Sequence, residues 1–180
     1  MPRYVALFRG INVGKAKRIA MADLRALLET LGFADVATLL NSGNAVFTAP
    51  AGAPAKIAGR IRAEVAKKLG VDALVIVKSG KDIAAIIAGN QLEKLATDHS
   101  RLLVAVANDT RRIAALEKFT SAKWGDERVH VGKHAAYLWC AHGILESKAA
   151  TALLTDLADL GTTRNWATVQ KIHALMRSKG

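Results

Sequence analysis

The sequence predicts an α+β protein of two ferredoxin-like (split βαβ) subdomains, the second degenerate, with a helix at its C-terminus. Three observations predict it. Short β-rich runs alternate with stretches of helical periodicity in the order β-α-β-β-α-β as far as Lys78. Glycines and turn clusters close each run. From Arg101 the order β-α-β-β-α recurs before a last helix, which places the subdomains at residues 1–78 and 79–180. No residue-level repeat accompanies the echo; it is one of element order.

Residues 3–8 are a short apolar run with β-branched and aromatic types, hence a buried strand. Met21, Leu24, Leu27, Leu28 and Leu31 fall on one helical face, and Gly32 supplies the stop, so residues 21–32 are a helix. Residues 35–40 and Ala45–Thr48 are strands joined by Asn41-Ser42-Gly43-Asn44, a hairpin turn with Gly43 at positive φ. Pro54 suits the first helical position. Ile57, Ile61, Val65 and Leu69 then repeat at i, i+4, i+8 and i+12, so residues 54–69 form a helix whose other face holds Lys56, Arg60, Arg62, Lys67 and Lys68. Ala73–Val77 is the fourth strand.

In a ferredoxin-like unit, right-handed crossovers place strands one and two parallel with strand three between them. The loop Arg9–Arg18, the turn Asn41–Asn44 and the segment Gly70–Asp72 must then meet at one end of the sheet.

The second half is read similarly. Ser79 caps a helix that ends near Ala88, with Asp82 completing a short capping box. Arg101–Ala107 is a strand, and Asp109 or Thr110 caps a helix to about Phe119. Glu127–Val131 and His134–Cys140 form a hairpin across Gly132-Lys133, which suits a type II′ turn. Two helices close the chain, at 147–160 and 163–177, the second opened by Thr162 or Thr163 as cap.

The chain is half apolar over 180 residues, which supports a sizeable core and excludes disorder. A formal net charge of +11 predicts attraction to anions. Residues 1–90 carry 13 Lys and Arg against 6 Asp and Glu, and residues 91–180 carry 13 against 9, so no basic tail concentrates the excess. Cys140 is the sole cysteine, which removes intrachain disulfides and paired-cysteine zinc sites and reads as inert packing. Arg9 interrupts the one candidate signal-peptide core, and no run approaches ~18 apolar residues, so the chain is read as cytoplasmic with no membrane partner.

Gly10-Ile-Asn-Val-Gly14-Lys15 is not a P-loop. That motif needs four residues between its glycines and a hydroxyl after its lysine, whereas three intervene here and Ala16 follows Lys15. A looser anion-binding loop is compatible with the glycines and cations. His130, His134 and His142 are scattered by strand alternation, so no metal site is expected. No G-x-S-x-G elbow or carboxylate pair specifies an enzyme, and no cofactor is indicated. RRM-type base stacking needs exposed aromatics on the central strands, but only Tyr4, Phe8 and Phe47 lie there, without the RNP pattern.

Three segments together resemble a known family: Tyr4–Gly14 (YVALFRGINVG), Asn41–Phe47 (NSGNAVF) and Thr162–Thr168 (TTRNWAT). These are similar to the motifs of the bacterial domain of unknown function 1697 family. The resemblance implies an α+β fold of two ferredoxin-like subdomains and no established activity. Two positions depart from the family pattern: Lys15 stands where a second glycine is usual and Ala20 where a proline is usual, which makes the loop less glycine-rich and more cationic.

These readings converge on a basic cleft for a phosphorylated small molecule or nucleotide. Arg9, Gly10, Asn12, Gly14, Lys15, Ser42 and Asn44 are its expected lining, with Lys148, Thr163, Arg164 and Asn165 joining from the C-terminal helices. The alternatives are non-specific nucleic-acid binding, with phosphates tracking along helix 54–69, and a protein-interaction module anchored on Trp124 and Trp139.

Overall fold

The structure is a computed structural model that describes residues 1–178. The chain forms two compact units, Met1–Lys81 together with the segment from Ile172, and Asp82–Lys171. Each contains one four-stranded antiparallel sheet, and each sheet has the same order, second-third-first-fourth.

In the first unit the strands are β1 (Arg3–Phe8), β2 (Ala34–Leu39), β3 (Asn44–Thr48) and β4 (Val75–Ser79). Helices α1 (Met21–Thr30) and α2 (Pro54–Leu69) cover one face. Tyr4, Ala6 and Phe8 of β1 and Phe47 of β3 face Leu24 and Leu28 of α1 and Ile61 and Val65 of α2. The alternating residues Val5, Leu7, Val46 and Ile76 are also buried, which explains why these strands are apolar throughout rather than on every second position. Aromatics directed toward the helices leave no stacking platform on the sheet.

The second unit begins within α3 (Gly80–Ala88) and contains β5 (Leu102–Ala107), β6 (Arg128–Val131), β7 (Ala136–Trp139) and β8 (Gly161–Asn165). Its helical layer is α4 (Thr110–Ala114), prolonged by a 3-10 turn to Phe119, and α5 (Lys148–Leu157). The core sets Leu103, Ala105 and Leu138 against Ile113, Leu116, Leu153 and Leu157. The buried Tyr137 hydroxyl donates to the Ile86 carbonyl of α3 at 2.6 Å, and desolvation pushes its pKa up to about 12. α6 (Trp166–Arg177) starts in this unit and its residues from Ile172 belong to the first.

The fold class is as the sequence predicts, with two local corrections. Gly161–Asn165 is a strand paired with β5, from Leu103↔Asn165 to Ala107↔Gly161, not the last turn of one helix and the start of another. The β-branched pair Thr162-Thr163 packs better on a pleated sheet than in a helix. Gly161 also lets α5 fold back, since a Cβ there would lie 2.5 Å from Leu157 Cδ2 and 2.7 Å from the Val106 carbonyl oxygen. The cap of the last helix is Asn165, whose Oδ1 accepts from Thr168 N at 2.9 Å. The second half thus completes β-α-β-β-α-β, and its degeneracy lies in the five-residue α4. The β6–β7 connection is the second correction. It spans residues 132–135, closed by Gly132 N–H to Ala135 O at 2.8 Å, and Gly132 lacks the positive φ that a type II′ turn requires.

Candidate functional site

The loop after β1, the β2–β3 turn and the segment before β4 meet at one end of the first sheet. Phe8 N donates to Gly43 O at 2.9 Å and Arg9 N to Leu74 O at 3.0 Å. Gly43 is required at this junction. Its φ is +90°, and a Cβ would sit 2.6 Å from Ile11 Cδ1 and 2.9 Å from Phe8 Cβ.

Asn12 organises the basic loop. Its side-chain amide donates to Ile19 O at 2.9 Å and to Asn41 O at 2.8 Å, and its Oδ1 accepts from Ile19 N at 2.8 Å. Asn12 itself occupies positive φ, and its N–H bonds Lys17 O at 3.0 Å. Ile11 is buried as the loop's apolar anchor, while Gly14, Lys15, Lys17 and Arg18 are exposed. Asn44 is fully buried and donates to Leu39 O at 2.8 Å and to the exposed Ser42 hydroxyl at 3.2 Å. Both asparagines therefore spend their amides on the fold, Asn12 on the loop and Asn44 on the hairpin.

Strand alternation divides the remaining candidates. Arg9 follows Leu7 on the side of the sheet away from α1 and α2, whereas Lys15, Lys17 and Arg18 belong to the loop that leads into α1. At the start of α1 an open depression of about 320 Å³ is lined by Asn12, Arg18, Ile19, Ala20, Met21 and Asn41. Ala20 occupies the N-cap position with extended backbone and offers no side-chain hydrogen bond, so the first N–H groups of the helix have no cap. Arg18, Ala20 and Asn41 were not among the expected ligand-binding residues. The signal was present: an alanine stands just before the helix where a capping residue belongs.

The other candidates lie in the second unit. Thr163, Arg164 and Asn165 are on β8. Arg164 pairs with Val104 and so projects from the face opposite α4 and α5, with its Nη1 donating to Thr162 Oγ1 at 3.0 Å and to Thr163 O at 2.8 Å. Burial pulls its guanidinium down to about 10, leaving it charged at neutral pH. Lys148 starts α5 on the helical side, so the second sheet separates Lys148 from Arg164.

The start of α5 holds a buried polar cluster: Ser147 is the cap that its residue type and place predict, and Glu127 joins it without any signal in the sequence. Glu127 accepts from Lys148 N at 3.1 Å, from Ala149 N at 3.3 Å and from the Ser147 hydroxyl, while Ser147 Oγ accepts from Ala150 N at 2.9 Å. A carboxylate and a hydroxyl together cap this helix. Cys140 is fully buried beside them, and burial pushes its thiol up. Of the two tryptophans, Trp139 is buried, at 8% exposure, whereas Trp124 is half-buried, with its indole N–H donating to Phe119 O at 2.8 Å. Among the described residues, no helix is long and apolar enough to cross a membrane.

Residues 1–137 match the profile of a family described as "Protein of unknown function (DUF1697)". The solved structure of the conserved bacterial protein SP0830 from Streptococcus pneumoniae is similar over 98% of this chain and 99% of that one, at 25% identity and a TM-score of 0.80. No curated protein matches.

Proposed function

The chain belongs to the DUF1697 family of proteins of unknown function, and we propose that it binds a phosphorylated small molecule or nucleotide at the loop end of its first unit. One observation carries the reading: the uncapped N–H groups of α1 open onto a depression whose wall includes Arg18. A helix start with free N–H groups and a guanidinium beside it are the parts of a phosphate site. Lys15 and Lys17 on the same exposed loop add charge that draws an anion in. Asn12 serves the site indirectly, by fixing the loop before the ligand arrives.

Thermal unfolding with ADP, and separately with inorganic phosphate, tests this. A ligand at a hundredfold its dissociation constant stabilises the folded state by about 2.7 kcal/mol and raises the melting point by several degrees. Arg18→Ala should weaken the response about tenfold, as expected for the loss of one charge-assisted hydrogen bond. Ala20→Asp should raise the ligand-free stability by about 1 kcal/mol by supplying the missing cap, and should remove the response by placing a carboxylate where the phosphate binds. Unchanged ADP binding in both variants would refute the site.

A further inference from the structure

The division into units reveals a charge asymmetry that a split at mid-chain hides. Residues 1–81 carry 13 Lys and Arg against 5 Asp and Glu, whereas residues 82–171 carry 11 against 10. Five of the 13 cations in residues 1–81, against one acid, Glu64, lie on α2. Its inner face, Ala58, Ile61 and Val65, is buried, and its outer face exposes Lys56, Arg60, Arg62, Lys67 and Lys68. Two of these are fixed in position. Arg60 donates to Leu31 O at 2.9 Å and lies over the Phe33 ring, and Arg62 is held bidentately by Asp72. Lys56, Lys67 and Lys68 make no ion pair among the described residues.

Between the cations the exposed residues are small: Ala55, Gly59 and Ala63, at i, i+4 and i+8. Gly59 has ordinary helical φ, and a Cβ there would meet nothing within 4 Å. Packing therefore does not call for glycine at a position where it costs a helix roughly 1 kcal/mol. What the small residues do provide is an unobstructed strip along a helix of 16 residues, about 24 Å, bordered by Lys56, Arg60 and Lys67 on one edge and Arg62 on the other.

We propose that the outer face of α2 docks the phosphate backbone of a nucleic acid, without reading its bases. This surface is distinct from the depression at α1, and its occupant is a polymer rather than a small phosphate. An acidic membrane surface fits less well, because interfacial helices insert large apolar side chains and α2 exposes none. α2 itself carries no aromatic side chain on which a base could stack.

Fluorescence anisotropy with two DNA duplexes of unrelated sequence, between about 50 and 200 mM salt, tests the proposal. The expected result is equal affinity for both, with a logarithmic salt slope of about −0.9 per phosphate engaged. The triple variant Lys56→Ala, Lys67→Ala, Lys68→Ala should flatten that slope by about 2 to 3 and weaken binding at least about tenfold at the lower salt. Gly59→Glu, which favours the helix and puts a carboxylate in the strip, should weaken binding in the same direction. Both variants should keep the wild-type response to ADP, so failure here is separable from failure of the α1 site. No wild-type binding at the lower salt, an unchanged slope in the triple variant, or tighter binding to phosphatidylserine vesicles than to DNA would overturn the proposal.

Discussion

The two units share a strand order and differ in how they use their polar groups. In the first, α1 and α2 follow Ala20 and Ala53, neither of which makes a side-chain cap. In the second, Asp109 caps α4 and Ser147 with Glu127 caps α5, and Asn165 caps the helix that follows β8. Charges do not follow this division: Arg62–Asp72 pairs within the first unit and Arg101–Asp98, Arg111–Asp109 and Lys118–Asp156 within the second, and each unit leaves cations facing solvent, Lys15, Lys17, Lys56, Lys67 and Lys68 in the first and Lys94, Arg112, Lys123, Lys133 and Lys148 in the second. One topology supports two ways of opening its helices: side-chain caps on α4, α5 and α6, and bare N-termini on α1 and α2.

That contrast can be broken most forcefully at Glu127. Glu127→Ala leaves the Ser147 hydroxyl and two N–H groups of α5 without their acceptor, and should destabilise the protein by about 4 kcal/mol in chemical denaturation. The folded fraction should still bind ADP with wild-type affinity; a parallel loss of affinity would mean that the polar cluster serves the ligand too. Gly43→Ala comes next, at about 3 kcal/mol, from positive φ combined with a collision against Ile11 and Phe8. Because that junction holds the loop beside the hairpin, this variant should lose ADP affinity as well as stability. Gly59→Ala has the opposite sign. It should stabilise the protein by roughly 0.5–1 kcal/mol, and a destabilisation would reveal a packing role for the strip.

The smallest effect is expected in acid. Hydrogen bonds from Ser100 to Asp98 and from Arg111 to Asp109 hold both carboxyls below their ordinary value of 3.8. Folded-state pKa values below the unfolded ones give stability that is present above about pH 3.8 and is lost as pH falls through the folded values. Both groups are exposed, so the loss is slight and confined to pH below 4. Asp109→Asn, which retains a capping side chain, should flatten this acid limb in a denaturation series across pH.

Much of the fold was legible because punctuation and periodicity agree. Pro54 and Gly70 bracket α2 at its observed ends, and Gly43 marks the hairpin by the conformation only glycine tolerates there. β8 was not legible, since Thr-Thr-Arg-Asn satisfies the rules for a helix start as well as those for a strand, and only pairing with β5 decides. Glu127 was hidden for another reason: its partners on α5 lie 21 and 22 residues downstream, so nothing local distinguishes it from the exposed Asp126. At the loop the residue types pointed to anion chemistry, yet the asparagines that looked most like ligands are bound within the fold. The alanine that looked inert leaves the helix open. Residue type shows what a side chain can do; burial and partners determine whether it is free to do it.

The Asn12 amide behaves as a displaced peptide unit. It meets both the N–H and the C=O of Ile19, as a neighbouring strand would, and then reaches the Asn41 carbonyl across the hairpin. A carboxylate there would set an acceptor against two carbonyl oxygens. Slow hydrolysis of this one amide to an acid would therefore open the loop while leaving both sheets intact. An anion site on this loop, as proposed above, would then depend on the integrity of a single amide side chain.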